Sequence, residues 1–208
     1  MERLLLSELL LREHMSKEEY QKYGKKLIFS RGNLVYLPTD RLDTLFILDR
    51  GAVKLGSYSP QGAEVTYDIV CPGEFFGNLQ YLPNNIFSEF AKTLTTTEVY
   101  SYPTLLVKEI IRRDEDVADR FHEVMVRRWC RAESKLFANA SLSPEERVRQ
   151  LIRQYSQKVP IKEKKLIPIS ELLTQKDIAD LTGLTRQTVA HITKRLLKKP
   201  TPSHVKAA

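Results

Sequence analysis

From residue 27 to about residue 102 the chain alternates short apolar runs with turn residues. LFIL (45–48), the turn DRG and AVKL (52–55) read as one short paired unit of strands. SPQG (59–62) then turns into EVTYDIV (64–70), where Val65, Tyr67 and Ile69 alternate with Glu64, Thr66 and Asp68, the pattern of a half-buried strand. Pro72-Gly73 breaks it, Phe75-Phe76-Gly77 follows, and AKTLTTTEVYSY (91–102) has the β-branched and aromatic content of a further strand. Strands this short and this closely spaced predict an antiparallel β-roll.

From about Thr104 the period lengthens to that of a helix. Ala118, Phe121, Met125, Trp129, Ala132 and Leu136 recur at steps of three and four, a stripe along a helix from about Asp114 to Asn139. At about 1.5 Å per residue, roughly 25 residues span nearly 40 Å, longer than a domain of this size needs internally. The stripe either lies along the roll or meets its twin from a second chain, and the two-chain packing is the expectation. SLSPEERVRQLIRQY then restarts a helix, with Ser143 as N-cap, Pro144 at the first helical position and Glu146 three residues after the cap. Two domains follow, residues 1–139 and residues 140–208, and IPIS (167–170) predicts a short strand in the second.

The segment LTQKDIADLTGLTRQTVAHITKRLLKK (173–199) is the most informative. Thr174 can cap a helix Gln175 to Leu181, Gly183 suits a left-handed turn, and Thr185 can cap a second helix from Arg186 to about Leu197. Ala179 is small where the second helix would cross, and Ile178, Leu184, Val189, Ile192 and Leu196 fall on the interior side. This is the helix-turn-helix pattern. The opposite face of the second helix carries Arg186, Gln187, Ala190, His191, Lys194 and Lys198. Such a face suits the major groove of duplex DNA: Arg186, Gln187 and His191 for base edges, with Thr185, Thr188, Lys194 and Lys198 for phosphates.

Charge agrees with that division. The net charge is +7, and from Ala140 onward there are 14 Lys and Arg against 6 Asp and Glu, so the polyanion-binding character lies entirely in the second half. The two cysteines, Cys71 and Cys130, form no CxxC pair and are expected to be buried small hydrophobes. The first twenty residues fit an amphipathic helix and not a signal peptide, and no apolar run approaches the length of a membrane span, so a cytoplasmic protein without membrane contact is expected. Catalysis is not expected. The four histidines, His14, His122, His191 and His204, all lie outside the strand region, and no nucleophile triad, phosphate loop or paired acidic motif is apparent.

Roll, long helix and helix-turn-helix, in that order, resemble the Crp/Fnr family of bacterial transcription regulators over nearly the whole chain. LFILDRGAVKL, GEFFGNLQYL and the segment from Leu173 carry the resemblance. It implies an α+β fold: an N-terminal roll of the cyclic-nucleotide-binding jelly-roll type, a long dimerisation helix and a C-terminal helix-turn-helix. It also implies a homodimer on a pseudo-palindromic duplex DNA site, RNA polymerase as a partner, and a roll that senses a small effector.

Family members that bind cyclic nucleotides resemble one another in a glutamate for the ribose and an arginine for the cyclic phosphate. Here Gly77 is retained, Asn78 stands at the glutamate position and Phe87-Ser88 stand where Arg-Ser would. A buried phosphate without a cation is costly, so tight binding of cyclic AMP is not expected. No cysteine precedes Cys71, which excludes the family's iron–sulfur chemistry, and no cofactor is expected. Arg128 and Glu133 have the spacing of the effector pair in the 2-oxoglutarate-responsive nitrogen-control branch, which leaves a small dicarboxylate as an alternative effector. A roll module acting on a protein partner is a second alternative. After the recognition helix, Pro200 and Pro202 forbid a regular hairpin, so the family's two-stranded wing is expected to be truncated or missing.

Overall fold

The computed structural model describes residues 15–38, 43–78, 88–162 and 165–198. The expected N-terminal amphipathic helix, Phe87 and the proline-bearing tail that bears on the wing lie outside these residues. A short helix, α1 (Lys17–Tyr23), closed by a Ser16–Glu19 capping box, leads into the strands β1 (Lys25–Phe29), β2 (Leu34–Tyr36), β3 (Thr44–Arg50), β4 (Val53–Tyr58), β5 (Glu64–Val70), β6 (Phe75–Gly77), β7 (Phe90–Thr93) and β8 (Thr97–Pro103). They pair antiparallel in two four-stranded sheets, ordered β1-β8-β3-β6 and β2-β7-β4-β5. Helices α2 (Thr104–Arg113), α3 (Glu115–Ser141) and α4 (Pro144–Gln154) follow, then the hairpin β9 (Lys158–Lys162) and β10 (Lys165–Pro168), a 3-10 turn (Ile169–Glu171), α5 (Gln175–Thr182) and α6 (Arg186–Lys198). The α+β class, the roll, the long helix and the C-terminal helix pair are as the pattern predicts.

Four strand-level expectations need correction. LFIL and AVKL do not pair with each other: β3 lies between β8 and β6 in one sheet, while β4 lies between β7 and β5 in the other. The segment 91–102 is likewise two strands, β7 and β8, one in each sheet. Both errors have one cause, since the chain crosses between the sheets at Gly51 and again at residues 94–96, and the crossings touch. Gly51 has φ +94°, and a side chain there would meet the Thr96 carbonyl oxygen at 2.7 Å, so only glycine fits. The third correction is in β5, where Val65 is exposed and Thr66 is buried, the reverse of the expected alternation. Helix α5 covers Thr66 from outside the roll, so the outer face there is not solvent. IPIS is also not all strand: β10 ends at Pro168 and pairs with β9.

The roll interior is filled by Tyr36, Phe46, Leu48, Val53, Leu55, Val70, Phe76 and Val99, with Tyr36, Phe46 and Phe76 stacked at 5.3–6.1 Å. Alternate residues of β3, Leu45 and Ile47, face the other way and pack with Phe75 and Tyr102 against α2 and α3. Being covered on both faces is why β3 reads as a continuous apolar run. Phe121 of α3 stacks on Phe75 at 5.1 Å, so it belongs to this core and not to a stripe facing a second chain. A third cluster joins Val148, Leu151, Tyr155, Ile178, Val189 and Ile192 to Ala52, Ile69 and Leu94 of the roll.

Where these clusters converge, α3 is tied to β5 through one carboxylate. Asp68 lies 3.3 Å from Lys135, 3.6 Å from Arg128 and 4.0 Å from Arg131, and it accepts a 3.4 Å hydrogen bond from the Tyr155 hydroxyl. Burial raises its pKa, but the three cations outweigh burial and hold it below the ordinary carboxylate value. The stabilisation is therefore complete above about pH 4 and is lost as pH falls through the folded-state value. Asp68→Asn is expected to lower stability by about 3–5 kcal/mol, the usual cost of removing one partner of a buried ion pair. Urea unfolding at neutral pH measures it, and a loss well under 1 kcal/mol would show that solvent already screens the cations.

Candidate nucleic-acid interface and roll interior

The helix-turn-helix is assembled by local signals. The Thr174 hydroxyl accepts from the Asp177 amide at 3.1 Å while the Asp177 carboxylate accepts from the Thr174 amide at 3.0 Å, a reciprocal cap that starts α5. Gly183 ends it in the left-handed region, at φ +63° and ψ 30°. Thr185 accepts from the Thr188 amide at 3.1 Å and so starts α6. Ala179 and Val189 are buried at the crossing, with Ile178 and Ile192 beside them and Leu184 and Leu196 partly buried against the same cluster. Arg147 of α4 braces the turn by donating to the Leu142 and Thr182 carbonyl oxygens at 3.0 and 3.3 Å.

That packing leaves the opposite face of α6 open. Thr185, Arg186, Gln187, His191 and Lys194 are exposed, and Thr188 is half-buried. The hydroxyls of Thr185 and Thr188 lie 2.8 Å apart. The Lys198 side chain is outside the described residues. Arg195, on the flank, is bound to Glu145 of α4 and is not part of the open face.

Sequence reasoning missed how α5 is seated. Its Asp177 carboxylate, 1% exposed, accepts from Lys54 of β4 at 2.7 Å and from the Thr66 hydroxyl at 2.9 Å, besides the cap. Asp180 accepts from the Thr66 amide at 3.0 Å, and Lys176 donates to the Glu64 carbonyl oxygen. Burial pushes the Asp177 pKa up, but the hydrogen bonds from Lys54 and Thr174 outweigh it and the group stays below the ordinary carboxylate range. The available signal was Asp177 and Asp180 three residues apart in an otherwise basic domain, of which the cap explains only the first.

The candidate effector residues are scattered. The Asn78 carbonyl oxygen accepts from the Thr104 hydroxyl at 3.2 Å, Gly77 pairs with Leu45 at the end of β6, and Ser88 is exposed. Arg128 points to the roll, donating to the Phe75 carbonyl oxygen at 3.3 Å, whereas Glu133 lies on the other side of α3 and accepts from the Trp129 indole at 2.7 Å. One chain does not bring Arg128 and Glu133 together. A carboxylate that sequence reasoning did not single out occupies the roll instead: Glu89 accepts from the hydroxyls of both Tyr36 and Tyr67. Burial, with the Glu89 charge added, pushes both phenols far above their usual pKa, so both remain proton donors.

On α3 the predicted stripe splits between two faces. Val117, Phe121 and Val124 are buried in the chain's own core, while Met125, Trp129 and Leu136 are exposed together with Val126 and Phe137. Ala118 is half-buried and Ala132 is exposed. Cys130 is exposed, against expectation, because it borders the open face of α3 beside Phe137 and not the face packed on the roll; Cys71 is partly buried, and burial pushes its thiol up to about 12. No helix among the described residues is long and apolar enough to cross a membrane.

The cyclic nucleotide-binding domain family matches residues 26–114. The chain is 27% identical over 161 residues to the CRP-like cAMP-activated global transcriptional regulator of Mycobacterium tuberculosis, covering 77% of this chain and 72% of that protein. It is 24% identical over 166 residues to the global nitrogen regulator of Synechococcus elongatus, covering 79% and 75%. The solved structure of FixK2 from Bradyrhizobium japonicum superposes with a TM-score of 0.67 at 17% identity, covering 84% of each chain. These similarities support a transcription regulator of the Crp/Fnr type, a class of DNA-binding proteins and not of enzymes.

Because α5 is held to the roll by Lys54 and Thr66, Asp177→Ala is expected to remove the cap and leave Lys54 buried without its closest anion. A loss of about 3–5 kcal/mol is expected in urea unfolding, against about 1 kcal/mol for Thr174→Ala, which removes only the cap hydroxyl. Equal losses for the two substitutions would show that the roll contact contributes nothing.

Proposed function

We propose that the protein acts as a homodimer in the cytoplasm, reads a pseudo-palindromic duplex DNA site, and does so without tight binding of cyclic AMP. Residues 1–139 form the sensing and dimerising unit and residues 140–208 the DNA-reading unit. RNA polymerase is the expected partner on the promoter.

The observation that carries the reading is the open face of α6, where Arg186, Gln187, His191 and Lys194 are exposed while Val189, Ile192 and Leu196 pack inward and Arg195 is paired with Glu145. Arg186 and Gln187, at the helix N-terminus, suit bidentate hydrogen bonds to guanine and adenine, and Lys194 suits a phosphate. The exposed Met125, Trp129, Leu136 and Phe137 support a second copy packed along α3, which would set two α6 helices about one DNA turn, ~34 Å, apart. Glu89 supports the reading of the roll, because a carboxylate fixed by two tyrosines repels a cyclic phosphate. A dicarboxylate at Arg128 is disfavoured by the same charge and by Asp68, which already engages that arginine.

Selection of random duplex DNA by the purified protein, with no small molecule added, is expected to enrich a two-fold-symmetric motif. Enrichment of an unsymmetric motif would rule out the dimeric reading. Arg186→Ala should then weaken binding by about 1–3 kcal/mol and relax one symmetric base position, whereas Lys194→Ala should weaken binding to all sequences alike. Calorimetry with cyclic AMP is expected to show no saturable heat in the micromolar range.

A further inference from the structure

A cleft of about 620 Å³ lies between α3 and α4, on the side of the molecule that neither the roll interior nor the DNA-facing helix uses. Arg127, Cys130, Arg131 and Ser134 line it from α3, Gln150, Arg153 and Gln154 from α4, and Glu74 from the roll. At about 100° per residue, Arg127, Arg131 and Ser134 lie roughly 140–180° around α3 from Met125, Trp129 and Leu136, while Cys130 borders the exposed Phe137. Its size is that of a small-molecule site, for which about 300–1,000 Å³ is usual.

The lining is short of negative charge. Three guanidiniums face one carboxylate, and Glu74 is already taken: it lies 2.8 Å from Arg131 and accepts from the Cys71 amide at 3.0 Å. Glu123, outside the lining, holds Arg127 at 2.8 Å, and Asp68 lies at 4.0 Å from Arg131 but is shared with Arg128 and Lys135. Two residues of the lining also have unanswered donors. Nε and Nη2 of Arg131 and Nε2 of Gln154 are buried, and no hydrogen-bond acceptor reaches them among the described residues. Buried donors normally find an acceptor, and those of a guanidinium favour the paired oxygens of a phosphate or carboxylate.

We propose that this cleft binds a small phosphorylated metabolite, with the phosphate on Arg131 and Arg153 and the remainder of the molecule along Ser134, Gln150 and Gln154. With Arg127 paired to Glu123 and Arg131 to Glu74, Arg153 is the arginine of the lining left without an ion pair among the described residues, a cation that suits a phosphate, and the volume leaves room for the group it esterifies. Because the lining comes from both sides of the bend at Leu142, where α3 ends and α4 begins, an occupant ties the two helices together.

The proposal does not depend on the DNA-reading face, and the test separates the two. Binding of pyrophosphate and of glycerol 3-phosphate is measured by calorimetry at fixed ionic strength, with succinate as the carboxylate probe. Saturable binding of either phosphate compound is expected. Arg153→Gln should weaken it roughly tenfold or more, as expected for the loss of one charge-assisted hydrogen bond, and Gln154→Leu should weaken it less. Arg131 is left intact because it also holds Glu74. Arg186→Gln, on the DNA-facing helix, should leave phosphate binding unchanged. Heat that does not saturate, binding that survives Arg153→Gln, binding lost in Arg186→Gln, or a preference for succinate would each overturn the proposal.

Discussion

The geometry of the whole chain rests on how a single buried carboxylate, Asp68, is neutralised. The apolar contacts between α3 and the sheet are large but non-directional, and they would tolerate some sliding of the helix along its axis. Arg128, Arg131 and Lys135 are spaced at i, i+3 and i+7, which puts them on one face of α3, and only one register brings all three to Asp68. The Tyr155 hydroxyl adds the end of α4 to the same point, so roll, long helix and C-terminal domain are mutually positioned there. The balance of charge differs between the partners. For Asp68 the cations outweigh burial, whereas for Lys135 burial outweighs the shared carboxylate and the amine is held below its usual pKa. One anion is thus divided among more positive charge than it can fully neutralise, and the surplus continues along α3 into the arginine-lined cleft.

A second contact carries that positioning to the DNA-facing helix. Asp177 serves twice, as the residue that closes the cap of α5 and as the partner of Lys54 and Thr66 on the roll. Since α6 crosses α5 at Ala179 and Val189, seating α5 on β5 also fixes the direction of α6 relative to the roll. The route from roll to DNA-facing helix is therefore short and physical: β4 and β5, a buried carboxylate, one turn of α5, and a tight crossing. An interface mixing Ala52, Ile69 and Leu94 of the roll with the interior of the helix-turn-helix makes the two regions one packed body, at odds with two cores joined by a tether.

What could be read from the sequence was whatever is specified locally. Caps at Ser143 and Thr174, the left-handed Gly183 and the interior positions of α6 all lie within a few residues of the structure they determine, and each is where the pattern placed it. What could not be read depends on which surface covers which. Periodicity placed Phe121 with Trp129 on one stripe because it measures angle around the helix, not whether the chain's own sheet or another chain lies opposite. Thr66 is buried and Val65 exposed because α5, more than a hundred residues later, covers that face. The partition of β3 and β4 between sheets is also non-local, set by two crossings that touch at Gly51.

Among the described residues the roll interior is occupied by the stack of Tyr36, Phe46 and Phe76 and by Glu89 between two phenols. Both phenolic protons are committed to the carboxylate, so the donors that could have greeted an entering anion are used within the chain. An anion arriving there would meet a fixed negative charge at short range and low dielectric, where repulsion is hardly screened. Arg128, the nearest cation from α3, is bound to Asp68 and cannot serve both without loosening the register of the long helix. Positive charge left over from the arrangement that positions α3 is found outside the roll, between α3 and α4.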